Sequence, residues 1–173
     1  MQPAPVGPGC IVLDVLMPGP SGLDLQRALA RRATSLPIVF LSGHGDIQMS
    51  VRAIKDGAVD FLTKPVERDT LFAAVASAIE QSVAKQAASK QLQAARACYA
   101  ALTPREREVF AQVIAGQLSK QIASDLGASE RTIKAHRSSI MEKMKVTSLV
   151  ELGQLAEMLH AAGDLAVPPN GTQ

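Results

Sequence analysis

The sequence predicts two units of different class: an α/β unit of three parallel strands with helices, followed by an all-α unit of four helices. Three observations carry this. Between residues 10 and 81, short apolar runs alternate with amphipathic stretches, the rhythm of strand and crossover helix. Residues 82–101 contain neither proline nor glycine and are rich in Ala, Gln, Lys and Ser, which predicts a helical linker. From residue 102 onward, apolar residues recur at helical spacing only, between Ser, Thr, Pro and Gly punctuation.

Composition limits what such a chain does. Its 173 residues are 47% apolar and 20% charged with a formal net charge of +2, an ordinary globular balance. With aromatics at 3% and no Trp, the cores are built from Leu, Ile, Val, Ala and Met. No apolar run reaches a membrane span and no charged n-region precedes an apolar stretch, so a cytoplasmic protein without membrane contact is expected. Cys10 and Cys98 lie far apart in unrelated contexts and are expected as packing residues.

In chain order, Met1 to Gly9 holds three prolines and two glycines and is expected as a disordered leader, 1–9. Ile11, Val12 and Leu13 form a buried strand ending at Asp14, and Pro18, Gly19 and Gly22 break it into a loop. Leu23 to Arg32 is an amphipathic helix capped near Ser21, with Leu25, Ala28 and Leu29 inward and Gln26 among the polar residues between them. Pro37 to Leu41 is a second strand, ending in a loop from Ser42 to Asp46. A helix from Gln48 to Asp56 stops at Gly57, a third strand runs from Val59 to Thr63, and a helix covers Asp69 to about Gln81.

Right-handed crossovers place the carboxyl ends of all three strands on one edge of the sheet. Asp14, Ser42 and Lys64 each lie at such an end, so a carboxylate, a hydroxyl and an ammonium converge. That trio suits acceptance of a phosphoryl group by Asp14, with Lys64 and Ser42 holding its oxygens. A divalent cation normally assists.

The stretches Leu13 to Gly22, Leu41 to Asp46 and Asp60 to Pro65 resemble, in order and spacing, the signatures of a response-regulator receiver domain. The resemblance implies a flavodoxin-like fold over 10–81 with Asp14 as phosphoacceptor, Ser42 as switch hydroxyl, Lys64 as phosphoryl-binding lysine and Phe61 as the aromatic that follows Ser42. It also implies a cis Lys64-Pro65 bond, Mg2+ as cofactor and a sensor histidine kinase as partner. The match starts at the family's third strand, which makes it an N-terminally truncated receiver. No acidic residue precedes Asp14, so Asp14 and the Leu16 carbonyl are the candidate metal ligands, a weak pair for a hard cation. In the family's strand order this strand is central, so here it is expected at an exposed apolar edge that invites self-association.

The second unit opens with Thr103 as N-cap, Pro104 at the first helical position and Glu106 closing a capping box. Val109, Phe110, Val113 and Ile114 form its apolar stripe, ended by Gly116. A short helix from Ser119 to Leu126, a turn at Gly127 and a helix from Glu130 to Met144 capped by Ser129 make a helix-turn-helix. Helical spacing gathers Ile133, Ile140, Met141 and Met144 on one face of that third helix. Arg131, Lys134, Ala135, Ser138, Glu142 and Lys145 gather on another, a cationic face suited to the major groove of double-stranded DNA. Lys134, Ala135 and Ser138 are the candidate base readers; Lys120, Arg131, Thr132, Arg137 and Lys145 are the candidate phosphate contacts. A fourth helix starts at Ser148, with Glu151 expected to complete a capping box, and 163–173 is expected as a disordered tail.

Residues 102–162 resemble the LuxR/FixJ-type DNA-binding domain through Leu102 to Glu106, Ser119 to Ala123, Leu126 to Ser129 and Thr132 to His136. The resemblance implies a homodimer through the fourth helix on paired half-sites. Taken together, the matches read as a two-component response regulator of the LuxR/FixJ (NarL) type, a DNA-binding transcription regulator and not an enzyme. Two alternatives stay open: a regulator that binds DNA independently of phosphorylation or pairs with complete regulators, and a phosphoaspartyl hydrolase. The latter wants an aspartate two residues after Asp14, where Leu16 stands.

Overall fold

The computed structural model describes residues 7–31, 36–43 and 47–165. The chain divides into two units, residues 1–88 and 89–173. Strands β1 (Ile11–Leu13), β2 (Ile38–Ser42) and β3 (Asp60–Thr63) alternate with helices α1 (Gly22–Arg31), α2 (Ile47–Lys55) and α3 (Arg68–Ala100). The strands form one parallel sheet in the order β1-β2-β3, with Leu13 opposite Phe40 and Phe40 opposite Phe61. The predicted rhythm is therefore the observed one.

Side chains alternate across the sheet, so each face has its own core. Leu13, Ile38 and Phe40 pack with Val15, Ala53 and Ala58 on one face. Val39 and Leu62 pack with Ala74 and Ala78 of α3 on the other. β1 lies at one edge of the sheet, as expected, and Val12 on it is 47% exposed. Lys64-Pro65 is cis.

Three expectations are corrected here. Gln26, placed on the polar side of α1, is 3% exposed, whereas Leu25 is exposed. The buried face of α1 runs through Gly22 and Gln26, one turn apart, and the Gln26 amide earns its place by donating to the Ala53 carbonyl at 3.0 Å. The end of the leader is held: the Gly9 N–H donates to the buried Ser82 hydroxyl at 3.2 Å. In the expected tail, the Asp164 N–H caps α7 through the Leu159 carbonyl, its carboxylate meets Arg96 at 2.7 Å, and Leu165 packs on the core. Residues 1–6, Arg32, His44 to Asp46 and 166–173 lie outside the described residues.

α3 is one helix of 33 residues that begins in the first unit and ends in the second. The predicted linker is therefore its continuation. In the second unit follow α4 (Pro104–Ile114), α5 (Ser119–Asp125), α6 (Glu130–Met144) and α7 (Leu149–Ala161). Their core joins Val109, Phe110, Ile122, Ile133, Ile140, Met144, Leu152 and Leu159 with Ala95 of α3. The Thr103 capping box closes in both directions. That at Ser148 does not: the Glu151 carboxylate reaches one residue further back, accepting from the Thr147 N–H at 2.7 Å. No helix among the described residues is long and apolar enough to cross a membrane.

α6 ends on Lys145, whose φ of 56° is left-handed backbone that costs a side-chain-bearing residue about 1 kcal/mol. Glycine removes that cost, so Lys145→Gly is expected to stabilise the chain by about 0.5–1 kcal/mol in a thermal melt.

Candidate functional site

Two sites stand on this framework, one at the strand ends and one on α6. Asp14 leaves β1 where the chain turns, and Lys64 leaves β3 at the same edge. Their side chains meet, Nζ to Oδ2 at 2.8 Å, while the Leu16 N–H donates to Oδ1 at 3.1 Å. The Lys64 ammonium, then the Leu16 amide, hold the Asp14 carboxyl below its ordinary value, so it is a carboxylate throughout the physiological range. The pair remains reachable, with Lys64 46% and Asp14 33% exposed.

Ser42 ends β2 between them and is fully buried. Its carbonyl accepts the Lys64 N–H at 2.9 Å, which ties the ends of β2 and β3 together. Phe61 sits lower on β3, half-buried, its ring 6.0 Å from that of Phe40. The structure thus brings Asp14 and Lys64 into contact and sets Ser42 on the adjacent strand end.

Gly22 supports the site in a way the sequence did not announce. Its N–H donates to the Val15 carbonyl at 2.9 Å, closing the loop after Asp14. A Cβ there would lie 2.2 Å from the Asp14 carbonyl oxygen. Only glycine lets α1 start so close to the strand.

Magnesium demands near-octahedral oxygen coordination. Both Asp14 oxygens already serve nitrogen donors, and among the described residues no group of three His, Cys, Asp or Glu is placed to hold a metal. Asp14 and the Leu16 carbonyl by themselves do not fit the ion.

On the second site, α5 and α6 are joined by a turn through Gly127, φ 60°. Ser129 caps α6, accepting the Thr132 N–H at 3.1 Å and sharing a hydrogen bond with the Thr132 hydroxyl. Ile133, Ile140 and Met144 are buried, which turns Arg131, Thr132, Lys134, Ala135, Ser138 and Lys145 outward; all six are exposed, as is Lys120 on α5. Arg137 is half-buried at the margin. Lys134 is engaged: its ammonium lies 2.8 Å from Glu130 Oε1. The Ser138 hydroxyl donates back to the Lys134 carbonyl at 3.2 Å.

Sequence reasoning missed what orients this face. Glu106, 4% exposed, accepts from Lys143 at 2.6 Å, Ser139 at 2.7 Å and the Thr103 N–H at 2.8 Å. The Lys143 ammonium is the chief reason its carboxyl falls to about 2. Lys143 and Ser139 project from α6, so this carboxylate binds α6 to the start of α4. The Glu130 to Lys134 spacing, four residues on a helix, was a signal for that second pair.

Residues 4–76 match the family described as response regulator receiver domain, and residues 100–156 the family described as bacterial regulatory proteins, luxR family. The response regulator protein TmoT of Ectopseudomonas mendocina is 46% identical over 151 residues, 87% of this chain and 69% of its own length. The transcriptional regulatory protein FixJ of Bradyrhizobium diazoefficiens is 46% identical over 86% of this chain and 72% of its length. The solved structure of response regulator StyR superposes with a TM-score of 0.78 at 41% identity, over 90% of this chain and 79% of that one. The chain spans about two thirds of the length of its first curated relatives.

Proposed function

This chain belongs to the two-component response regulators that join a receiver domain to a LuxR-family DNA-binding domain, a family of transcription regulators, and we propose that Asp14 is its phosphoacceptor. The observation that carries this is the contact between Asp14 and Lys64 at the strand ends. A carboxylate oxygen forms the new P–O bond as the bond from phosphorus to its donor breaks. The donor is a phosphorylated histidine of a sensor kinase. Lys64 then transfers its ammonium from the carboxylate to a phosphoryl oxygen, where the added negative charge holds it more strongly. Ser42 offers a second contact to the same group, and Phe61 follows its movement. Incubation with a small acyl phosphate is expected to label the chain and not its Asp14→Asn variant, which keeps the shape and loses the nucleophile.

One observation favours a second reading. Because both Asp14 oxygens are held by Lys64 and the Leu16 amide, and Asp14 with the Leu16 carbonyl does not fit magnesium, the chain acts as a regulator whose DNA binding is independent of phosphorylation or follows pairing with another regulator. Absence of label at Asp14 in the presence of magnesium selects this reading.

For the output, α6 enters the major groove with Lys134, Ala135 and Ser138 at base edges. Lys120, Arg131, Thr132, Arg137 and Lys145 meet phosphates. Two copies pair through α7, whose first turn exposes Leu149 and Val150. Lys134→Ala is expected to cost about 1–3 kcal/mol on a selected site and little on random duplex. Equal losses on both assign Lys134 to a phosphate instead.

A further inference from the structure

The cationic face of α6 also carries an acid, and its position gives it a task. Glu130 is exposed in the first turn of α6, and one turn on, Lys134 sets its ammonium 2.8 Å from Glu130 Oε1. Lys134 first, and Lys120 of α5 in addition, hold the Glu130 carboxyl below its ordinary value. Its carboxylate therefore stands in the field of two cations assigned above to DNA. Glu130, Lys134 and Ser138 follow one another at four-residue steps along the exposed face.

An anion within a surface that meets phosphates opposes binding to every duplex, unless a base edge offers it a donor. In the major groove the cytosine N4 amino group is such a donor, and its partner guanine presents the O6 and N7 acceptors beside it. A carboxylate and an ammonium one helical turn apart supply the complementary acceptor and donor.

Resting on the assignment of α6 to the major groove, we propose that Glu130 and Lys134 read one G·C pair together. Glu130 accepts from the cytosine N4 amino group, and Lys134 donates to guanine O6 and N7. In the free protein the two side chains occupy each other; at the matching pair each exchanges its partner for a base. At a pair with no amino donor where the cytosine N4 group would stand, the Glu130 carboxylate is left without a partner and repels the backbone. Glu130 is thus a specificity residue that raises discrimination by lowering affinity for wrong sequences.

The test is selection from a pool of random-sequence duplexes by the full chain, its Glu130→Ala variant and its Glu130→Gln variant. The unaltered chain is expected to prefer G·C at one position of the recovered sites by about tenfold. Glu130→Ala is expected to lose most of that preference, keeping only what Lys134 alone gives, and to bind the unselected pool several-fold more tightly. Glu130→Gln, nearly the same shape, is expected to turn the preference toward A·T, because a glutamine amide matches adenine N6 and N7. A merely structural acid would not redirect base choice. The same recovered sequence from all three proteins overturns the proposal, as does unselected DNA held no more tightly by Glu130→Ala. An unaltered chain that recovers no sequence at all overturns the assignment of α6 and this proposal with it, whereas an unchanged sequence across the variants overturns the proposal alone.

Discussion

Gly22→Ala is expected to destabilise the first unit by about 2–4 kcal/mol, a large loss for one added methyl group. Two effects oppose each other. Alanine is the better helix residue by up to about 1 kcal/mol, and Gly22 opens α1. Against that, the new Cβ would sit 2.2 Å from the Asp14 carbonyl oxygen, 3.1 Å from its carbonyl carbon and 3.0 Å from the Phe40 ring. The first two of those neighbours are backbone and do not rotate away, so either α1 or the end of β1 must move. The clash wins. Gly153 in α7 is the contrast, because a Cβ there meets nothing within 4 Å; Gly153→Ala is expected to stabilise by about 0.5–1 kcal/mol. Thermal melts of both variants check the sign. Because the displaced atoms belong to Asp14, Gly22→Ala is also expected to lose acyl-phosphate labelling at temperatures where its melt shows the chain still folded.

The same glycine shows where reading the sequence stops. Gly22 was legible as a loop breaker, since glycine next to proline and serine marks a turn. Its close approach to Asp14 was not, because that distance is set by how α1 docks on the sheet. Gln26 fails for a related reason: polarity put it outside, yet the face of a helix is chosen by its neighbours, and the Ala53 carbonyl supplied the partner that makes burial possible. By contrast Asp14 and Lys64, fifty residues apart, were legible as a pair. Parallel crossovers leave only one edge for strand ends to share, and topology therefore did the work of coordinates. The helices of the second unit were legible from Thr103, Ser129 and Ser148, since a cap is a local interaction written in adjacent residues. Wherever the determining contact crosses between elements that no repeat or rule connects, the sequence is silent.

Glu106 is the strongest instance of such a contact, and its removal is expected to have the second large effect. Sequence showed only its capping role toward Thr103, three residues away. In the folded chain the same carboxylate also accepts from Ser139 and Lys143, and almost none of it reaches solvent. Glu106→Ala leaves the Thr103 N–H, the Ser139 hydroxyl and the Lys143 ammonium without their acceptor, and is expected to cost about 3 kcal/mol. Glu106→Gln keeps the shape and one acceptor but not the charge, so a smaller loss is expected. Acid should reproduce the effect in the unaltered protein. The folded carboxyl titrates at about 2 and the ordinary value is 4.5, so unfolding lets Glu106 bind a proton more readily. Its contribution is therefore complete above about pH 4.5 and is lost as pH falls through 4.5 toward 2. The drop in melting temperature across that window should be smaller for Glu106→Gln than for the unaltered chain, because the variant has no proton to take up there. Equal acid sensitivity in both would remove Glu106 as the source. Because Ser139 and Lys143 lie on α6, loosening this network frees the helix that carries Lys134 and Ala135. DNA affinity is then expected to fall in Glu106→Ala at temperatures where its melt still shows a folded chain.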